Sequence, residues 1–540
     1  MSISSSAAHR PGFSDFLNVA TPGRVAAVLA ALTALFMVLW PLGVTSDYFN
    51  HLARNHIEAN IWFDVDLQRY YGLSFSVIPD LTMDLIVPWL SLVTGTYAAG
   101  AFTVWIALIV PPLAGMLIAR NIHGHVTWCS LAGFLVIFNA NMQWGFINFV
   151  ASTGIALLGF AVWMNLSPRW TRAALFAPFS VFLALNHALG FLLFGYLVLL
   201  WEVACFVRGQ RQGGWAFGIQ LLTRDALSML PGILVLAFAT SNSEQLTHVG
   251  VTDFSLIQKL NAIWSGAEFF NPLLGRVVTI IAIVTVFIGL RRRILHIEPR
   301  MALVCAGMLL LILAMPTSVL GIWGLHFRYP AILFILVAAS VRVDLPLSSR
   351  HVSLVAVGAV ALMTVVFANA AAHLASYDRQ TRALKSALAE LPQGVRVLPA
   401  RTPEADLSFA LHSAALAVIE RSAYVPNLFT NTSPVDVHPQ MLALHMPQAW
   451  PLKEEQLLRS QNLELPPPAN GHWSQDYYFG WPDHWDYVLF FRTNNNQYLN
   501  IATLCIAGER TEFVLYRISD RPCENANVFS DLQLRRSGSP

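Results

Sequence analysis

Apolar stretches of membrane-crossing length recur along this chain, and no other feature narrows its possible folds so far. The first runs from Arg24 to Val44, and roughly 20 residues suffice to cross a bilayer. Others read at 98–119, 126–140, 146–165, 172–186, 188–207, 226–241, 276–290, 301–320, 329–341 and 351–371. With the first, they predict about eleven spans in an α-helical polytopic membrane protein. A shorter apolar helix at 81–97, containing Pro88, is expected to dip into the membrane without crossing it. Composition agrees. Of 540 residues, 55% are hydrophobic and 12% charged, about half the roughly 25% charge of soluble domains. A net charge of +2 and the lack of a basic stripe give no footing for a nucleic-acid partner. The first stretch has no small-x-small cleavage site after a short apolar core, so it reads as a retained anchor.

Positive charge orients the spans. With the N-terminus inside, the inner segments hold fourteen arginines, among them Arg120, Arg172, Arg208, Arg291, Arg292, Arg293 and Arg342. The outer loops hold five basic residues: Arg54, Arg69, Lys259, Arg276 and Arg328. The expected organisation is a cytoplasmic tail over 1–23, a membrane domain over 24–373 with a large first outer loop at 45–97, and an extracytoplasmic α/β domain over 374–540. In that last part charge rises and no spanning stretch remains. A helix at 379–391 should lead into strands near 395–398, 424–429, 486–491 and 512–517. The aromatic run from Trp473 to Tyr487 suits a core, with sugar stacking or the membrane interface as alternatives. Cys129, Cys205 and Cys305 lie in apolar spans. Cys505 and Cys523 share the C-terminal part, where a disulfide is possible in an oxidising compartment.

The polar residues gather at outer ends. In the first loop, Phe49, Leu52, Ala53 and Ile57 share one helical face, which predicts an amphipathic helix on the outer surface. Asp47 opens that helix, either as its N-cap or as a functional carboxylate. His51 and Arg54 follow within two turns. Asp47 and His51, at i and i+4, could share a divalent ion, though two ligands need a third. Asp80 is placed to cap the helix that follows it. Asp84, one turn on and beside hydrocarbon, is costly enough to suggest function. Asn139, Asn141, Gln143, Asn148, Asn186 and His187 mark further outer turns, joined by Ser241–Glu244 and His248 in a longer outer loop. With His326 and Arg328 they could line one outward-facing cavity. Arg328 either grips a phosphate through paired charge-assisted bonds or snorkels toward lipid headgroups.

Two stretches carry a family likeness: Ser46-Asp-Tyr-Phe-Asn-His-Leu-Ala-Arg54 and Pro79-Asp-Leu-Thr-Met-Asp-Leu-Ile-Val-Pro88. With the N-inside anchor, the long first loop and the outer C-terminal domain, they resemble the GT-C glycosyltransferase superfamily, in particular a family of bacterial multi-pass proteins. The resemblance implies a donor sugar on a polyprenyl-phosphate carrier, a glycan or lipid acceptor in the cell envelope, and chemistry on the periplasmic face of the bacterial inner membrane. It makes Asp47 the base, and Arg328 the group that stabilises the departing lipid phosphate. Arg54, His51, Asp84, His187 and His326 become candidates for binding substrate or its phosphate. Tyr48 stands where many such enzymes have a second acidic residue, which leaves a metal cofactor open. A lipid or glycan transporter and an inactive envelope-assembly protein are the competing classes. Spans almost free of charge speak against ion-coupled transport.

Overall fold

The computed structural model of the chain describes residues 21–44, 46–74, 77–167, 170–208, 214–241, 255–267, 270–319, 322–343, 349–430, 433–447, 449–466 and 474–523. It shows an α-helical multi-pass membrane protein with a small C-terminal α/β domain. Six described helices have the length and apolarity to cross a membrane: Pro22–Leu39, Thr96–His123, Ile147–Asn165, Ala188–Val207, Pro272–Arg291 and the Val355–Leu388 part of the last one. Trp170–Asn186, Gly214–Ser241 and Pro299–Ala314 occupy three further expected spans.

Two expected spans are not full-length helices. The 126–140 stretch holds a 3₁₀ helix, Trp128–Val136, and the 329–341 stretch holds the 11-residue helix Pro330–Ser340. At about 1.5–2 Å per residue neither matches the roughly 30 Å hydrocarbon layer. They pack on each other: a Cβ added at Gly133 would lie 3.6 Å from the Ile335 side chain. Irregular backbone at membrane depth is tolerated where protein rather than lipid surrounds it. The Thr82–Thr94 helix, 13 residues long, does not cross, and its Trp89 and Val93 stay exposed.

Contacts sort the helix ends into two sets. At one end, Asn121 donates to the Ala161 carbonyl, and Leu295–Ile297 pairs with Val341–Val343. An ionic cluster belongs there: Arg172 bonds Glu202 at 2.9 Å and Asp225 at 2.7 Å, and its guanidinium lies 4.0 Å from the Trp163 ring. At the other end, the Asp47 N–H meets the Trp144 carbonyl and the Leu81 N–H meets the Asn186 carbonyl. The C-terminal domain sits at this second end, since the Ser46 N–H donates to the Ser408 carbonyl. The first loop and the C-terminal domain therefore share a side.

The last helix, Ser349–Leu388, is 40 residues long. The expected separate helix at 379–391 is its continuation, so one rod of about 60 Å joins membrane and soluble domain. Gly43 lies against it; a Cβ there would come within 2.7 Å of the Leu374 carbonyl oxygen. Next to it the Leu42 N–H donates to Asp378 on the same helix at 3.0 Å. The domain is built on a five-stranded sheet in the order Leu504–Glu509, Phe513–Ile518, Tyr487–Phe491, Val397–Arg401, Leu452–Lys453. The first three strands run antiparallel, and Val397–Arg401 is parallel to both its neighbours. The 424–429 segment expected as a strand makes a single bridge, Arg396 to Tyr424. Tyr477, Trp481, Trp485 and Tyr487 are buried, which settles them as core; Trp473 lies outside the described residues, as do Asn242 to Glu244 and His248. Cys505 and Cys523 are disulfide-bonded, with Cα atoms 5.5 Å apart.

Candidate functional site

The Asp47–Asn60 helix is not a surface helix. Tyr48 to Arg54 are all buried, with Asn55, Ile57 and Ala59. The membrane domain packs on one side of it, with Leu52 beside Gly100 of Thr96–His123, and the C-terminal domain packs on another. Asn50 shows how: its side chain bonds the Asn427 carbonyl and the Phe429 N–H. An amphipathic pattern does not distinguish a polar protein surface from solvent, which is why the sequence alone suggests exposure. Ser46, at φ +57°, occupies the N-cap position without a side-chain cap bond, so Asp47 is the first helical residue and not the cap. Nor does Asp80 cap: Leu81 takes that position before Thr82–Thr94.

Helical spacing puts Asp47, His51, Arg54 and Glu58 along one stripe, and the 79–81 turn with the start of the Thr82–Thr94 helix closes over its far half. Arg54 bonds Asp84 at 2.6 Å and the Asp80 carbonyl at 3.0 Å. Asn148 holds Asp80 in turn, donating to its carboxylate at 3.0 Å and to its carbonyl at 2.9 Å. The His187 Nε2 lies 3.8 Å from Asp80, while its Nδ1 caps the Ala188–Val207 helix. Arg328 stands on the short helix Leu325–Arg328, its guanidinium 4.1 Å from the Phe146 ring centroid and its carbonyl accepting from Asn141 at 3.1 Å. Asp47 and Asp80 both stabilise its charge against burial, which brings its pKa down to about 10. The structure thus brings together Asp47, His51, Arg54, Asp84, His187 and Arg328. His326 shares the short helix with Arg328, half-buried, its ring edge-on to Phe327.

Sequence reading missed three members of the cluster. His412, from the C-terminal domain, places Nε2 3.3 Å from an Asp47 carboxylate oxygen. Asn50 touches the His412 Nδ1 at 3.1 Å across 362 residues of chain, a separation no local pattern reveals. Glu58 faces Asp84, and burial followed by that neighbouring carboxylate raises its pKa. Its place in the stripe, four residues after Arg54, was the available signal.

Burial is the dominant force on the other titrating groups. It raises Asp80 to about 7, against the pull of Arg54, and lowers His187 to about 3. The folded state favours protonated Asp80, so that contribution is full below the ordinary value of 3.8 and fades as pH rises to about 7. Asp80→Asn removes it. The stability of the variant relative to wild type should therefore climb across that window by at most about 1.4 kcal/mol per pH unit. Thermal unfolding in detergent at a series of pH values measures the difference; a flat difference curve would refute the protonated Asp80.

Among the described residues, no group of three or more His, Cys, Asp or Glu side chains is arranged to hold a metal ion. Among those residues, no third ligand joins Asp47 and His51.

The fold and this cluster define a class: a multi-pass membrane protein whose soluble C-terminal domain closes over a polar site at the helix ends. No protein-family profile matches the chain, and no curated protein sequence matches it. Among solved structures, its fold is similar to ArnT of Cupriavidus metallidurans, a GT-C glycosyltransferase, in the apo state, with 11% identity over 91% of this chain and 98% of that one (TM-score 0.48). The same protein bound to undecaprenyl phosphate gives 11% identity, 94% and 98% coverage and a TM-score of 0.49. An Archaeoglobus fulgidus oligosaccharyltransferase tethered with an acceptor peptide gives 13%, 74% and 63%, and 0.40. At such identity the chemistry of this chain has to be argued from its own residues.

Proposed function

We propose that this protein is a membrane glycosyltransferase that moves a sugar from a polyprenyl-phosphate carrier to an envelope acceptor on the periplasmic side of the bacterial inner membrane. The observation that carries the proposal is the setting of Arg328. It is buried at 7% exposure, faces the charge of Asp47, and lines a cleft whose other walls include Pro111, Val136, Phe149, Val150, Ile332 and Ile335. A charged, forked donor beside apolar walls suits the anionic head of a lipid carrier. Asn139 and Asn141 line the same cleft and add polar contacts near that head.

Asp47 supplies the base. Its side chain is 19% exposed, so the carboxylate is reachable while one oxygen faces His412. The acceptor hydroxyl gives its proton to Asp47 as its oxygen attacks the anomeric carbon. The bond from that carbon to the phosphate oxygen breaks, and the electron pair leaves with the lipid phosphate, where Arg328 meets the growing charge. Release of the proton from Asp47 to water resets the site. Arg54, engaged with Asp84 and the Asp80 carbonyl, we assign to holding the acidic loop rather than to the phosphate. The Cys505–Cys523 disulfide suits an oxidising compartment and supports a periplasmic C-terminal domain.

The test is the mass profile of envelope glycans and glycolipids in cells lacking the protein and in cells with it restored. The expected result is a single-sugar increment that disappears and returns. An unchanged sugar profile, with altered distribution of a lipid-linked glycan between leaflets, would overturn the transferase and favour transport.

A further inference from the structure

The contact between His412 and Asp47 specifies more than proximity, because the surrounding bonds fix which ring nitrogen carries the proton. The Phe429 backbone N–H can only donate, and it lies 2.6 Å from Asn50 Oδ1, which identifies that atom as the amide oxygen. The Asn50 amide nitrogen then donates one hydrogen to the Asn427 carbonyl at 2.8 Å and the other to His412 Nδ1 at 3.1 Å. Nδ1 is therefore an acceptor, and a neutral His412 carries its proton on Nε2, toward Asp47 Oδ1 at 3.3 Å. The ring has little freedom to turn. His412 is buried at 3% exposure and sits edge-on against Phe429, 4.8 Å between centroids. Asn427 pins the same turn, donating to the Leu411 and Ala449 carbonyls.

We infer that His412 is a positioning residue: its Nε2–H holds one oxygen of the Asp47 carboxylate, leaving the other aimed at the acceptor, and Asn50 selects the tautomer that makes this possible. The inference rests on the reading of Asp47 as the base. It gives the C-terminal domain a direct part in the chemistry, through a residue the membrane domain does not contain. His412 itself neither gives nor takes a proton during transfer. Orientation of a base through a fixed histidine tautomer follows the same logic as ligand orientation by a hydrogen-bonded neighbour.

The experiment uses the full-length protein. Cells lacking it are complemented with wild type, Asp47→Asn, His412→Leu or His412→Gln at matched membrane abundance, and the rate at which the sugar increment returns is followed. His412→Leu should slow transfer by about 10- to 100-fold, and His412→Gln, which keeps an N–H at similar reach, should recover most of that loss. Equal loss in both His412 variants, or no loss in His412→Leu while Asp47→Asn is inactive, overturns the positioning role alone. Full activity of Asp47→Asn overturns the reading of the base beneath it. A second readout does not depend on activity: nitrogen-15 histidine spectra of the purified wild type, with the His412 signal assigned by its absence from folded His412→Gln. A ring protonated on Nε2 and bare on Nδ1 is expected; protonation on Nδ1 refutes the inference.

Discussion

Asp47→Asn should abolish sugar transfer, by about 10²–10⁴-fold in rate, with the protein still folded and present in the membrane. The asparagine is nearly isosteric and its amide can still face His412 Nε2 across 3.3 Å through its oxygen. What it cannot do is accept the acceptor's proton. The loss should therefore fall on turnover and leave affinity for a polyprenyl phosphate within a few-fold of wild type. Membrane preparations assayed for single-sugar transfer, beside direct binding of undecaprenyl phosphate as the probe, separate the two. Retained turnover would move the base elsewhere in the cluster, with Asp80 the nearest carboxylate to Arg328 that the loop supplies.

Arg54→Leu should damage the fold rather than the reaction. Its guanidinium is fully buried and lies 2.6 Å from Asp84, itself almost fully buried. Removing one partner of such a pair costs about 3–5 kcal/mol, because the other is left charged without compensation. Glu58 stands beside Asp84 as well, but burial and that neighbour raise its pKa, so the charge left without compensation is that of Asp84. Yield in the membrane fraction and the thermal midpoint in detergent should both fall. The double change Arg54→Leu with Asp84→Leu should recover much of the loss, since it leaves neither charge behind. A single variant as stable as wild type would show that Arg54 is not bound as the structure places it, and would restore it as a candidate for the carrier phosphate.

The two effects separate the halves of one helix. Asp47 lies at its start, in reach of His412 and the charge of Arg328; Arg54 and Glu58 lie at its far end, closed in by Asp80 and by Asp84 on the Thr82–Thr94 helix. Among the described residues, the outer turns at Asp80, Asn141, Asn148 and Arg328 are joined by bonds such as Asn148 to Asp80 and Asn141 to the Arg328 carbonyl. Their convergence follows from alternation: helices that cross a membrane in turn return every second loop to the same side. The sequence could not weigh the loop's residues against one another. Asp80 was expected to cap a helix, and instead it is clamped by Asn148, with burial raising its pKa to about 7.

Hydropathy and charge, taken alone, determined the multi-pass architecture and the common side of the first loop and the C-terminal domain. These are properties of single segments and of their order, set by the cost of burying backbone and charge in hydrocarbon. The tertiary structure alone decided that the first-loop helix is buried, that Arg54 belongs to Asp84, and that His412 faces Asp47. Each of those is a pairing between distant segments, with up to 362 residues between Asn50 and the histidine it orients. A local pattern records how polar a face is, whereas the partner that satisfies it is chosen only when the two domains pack.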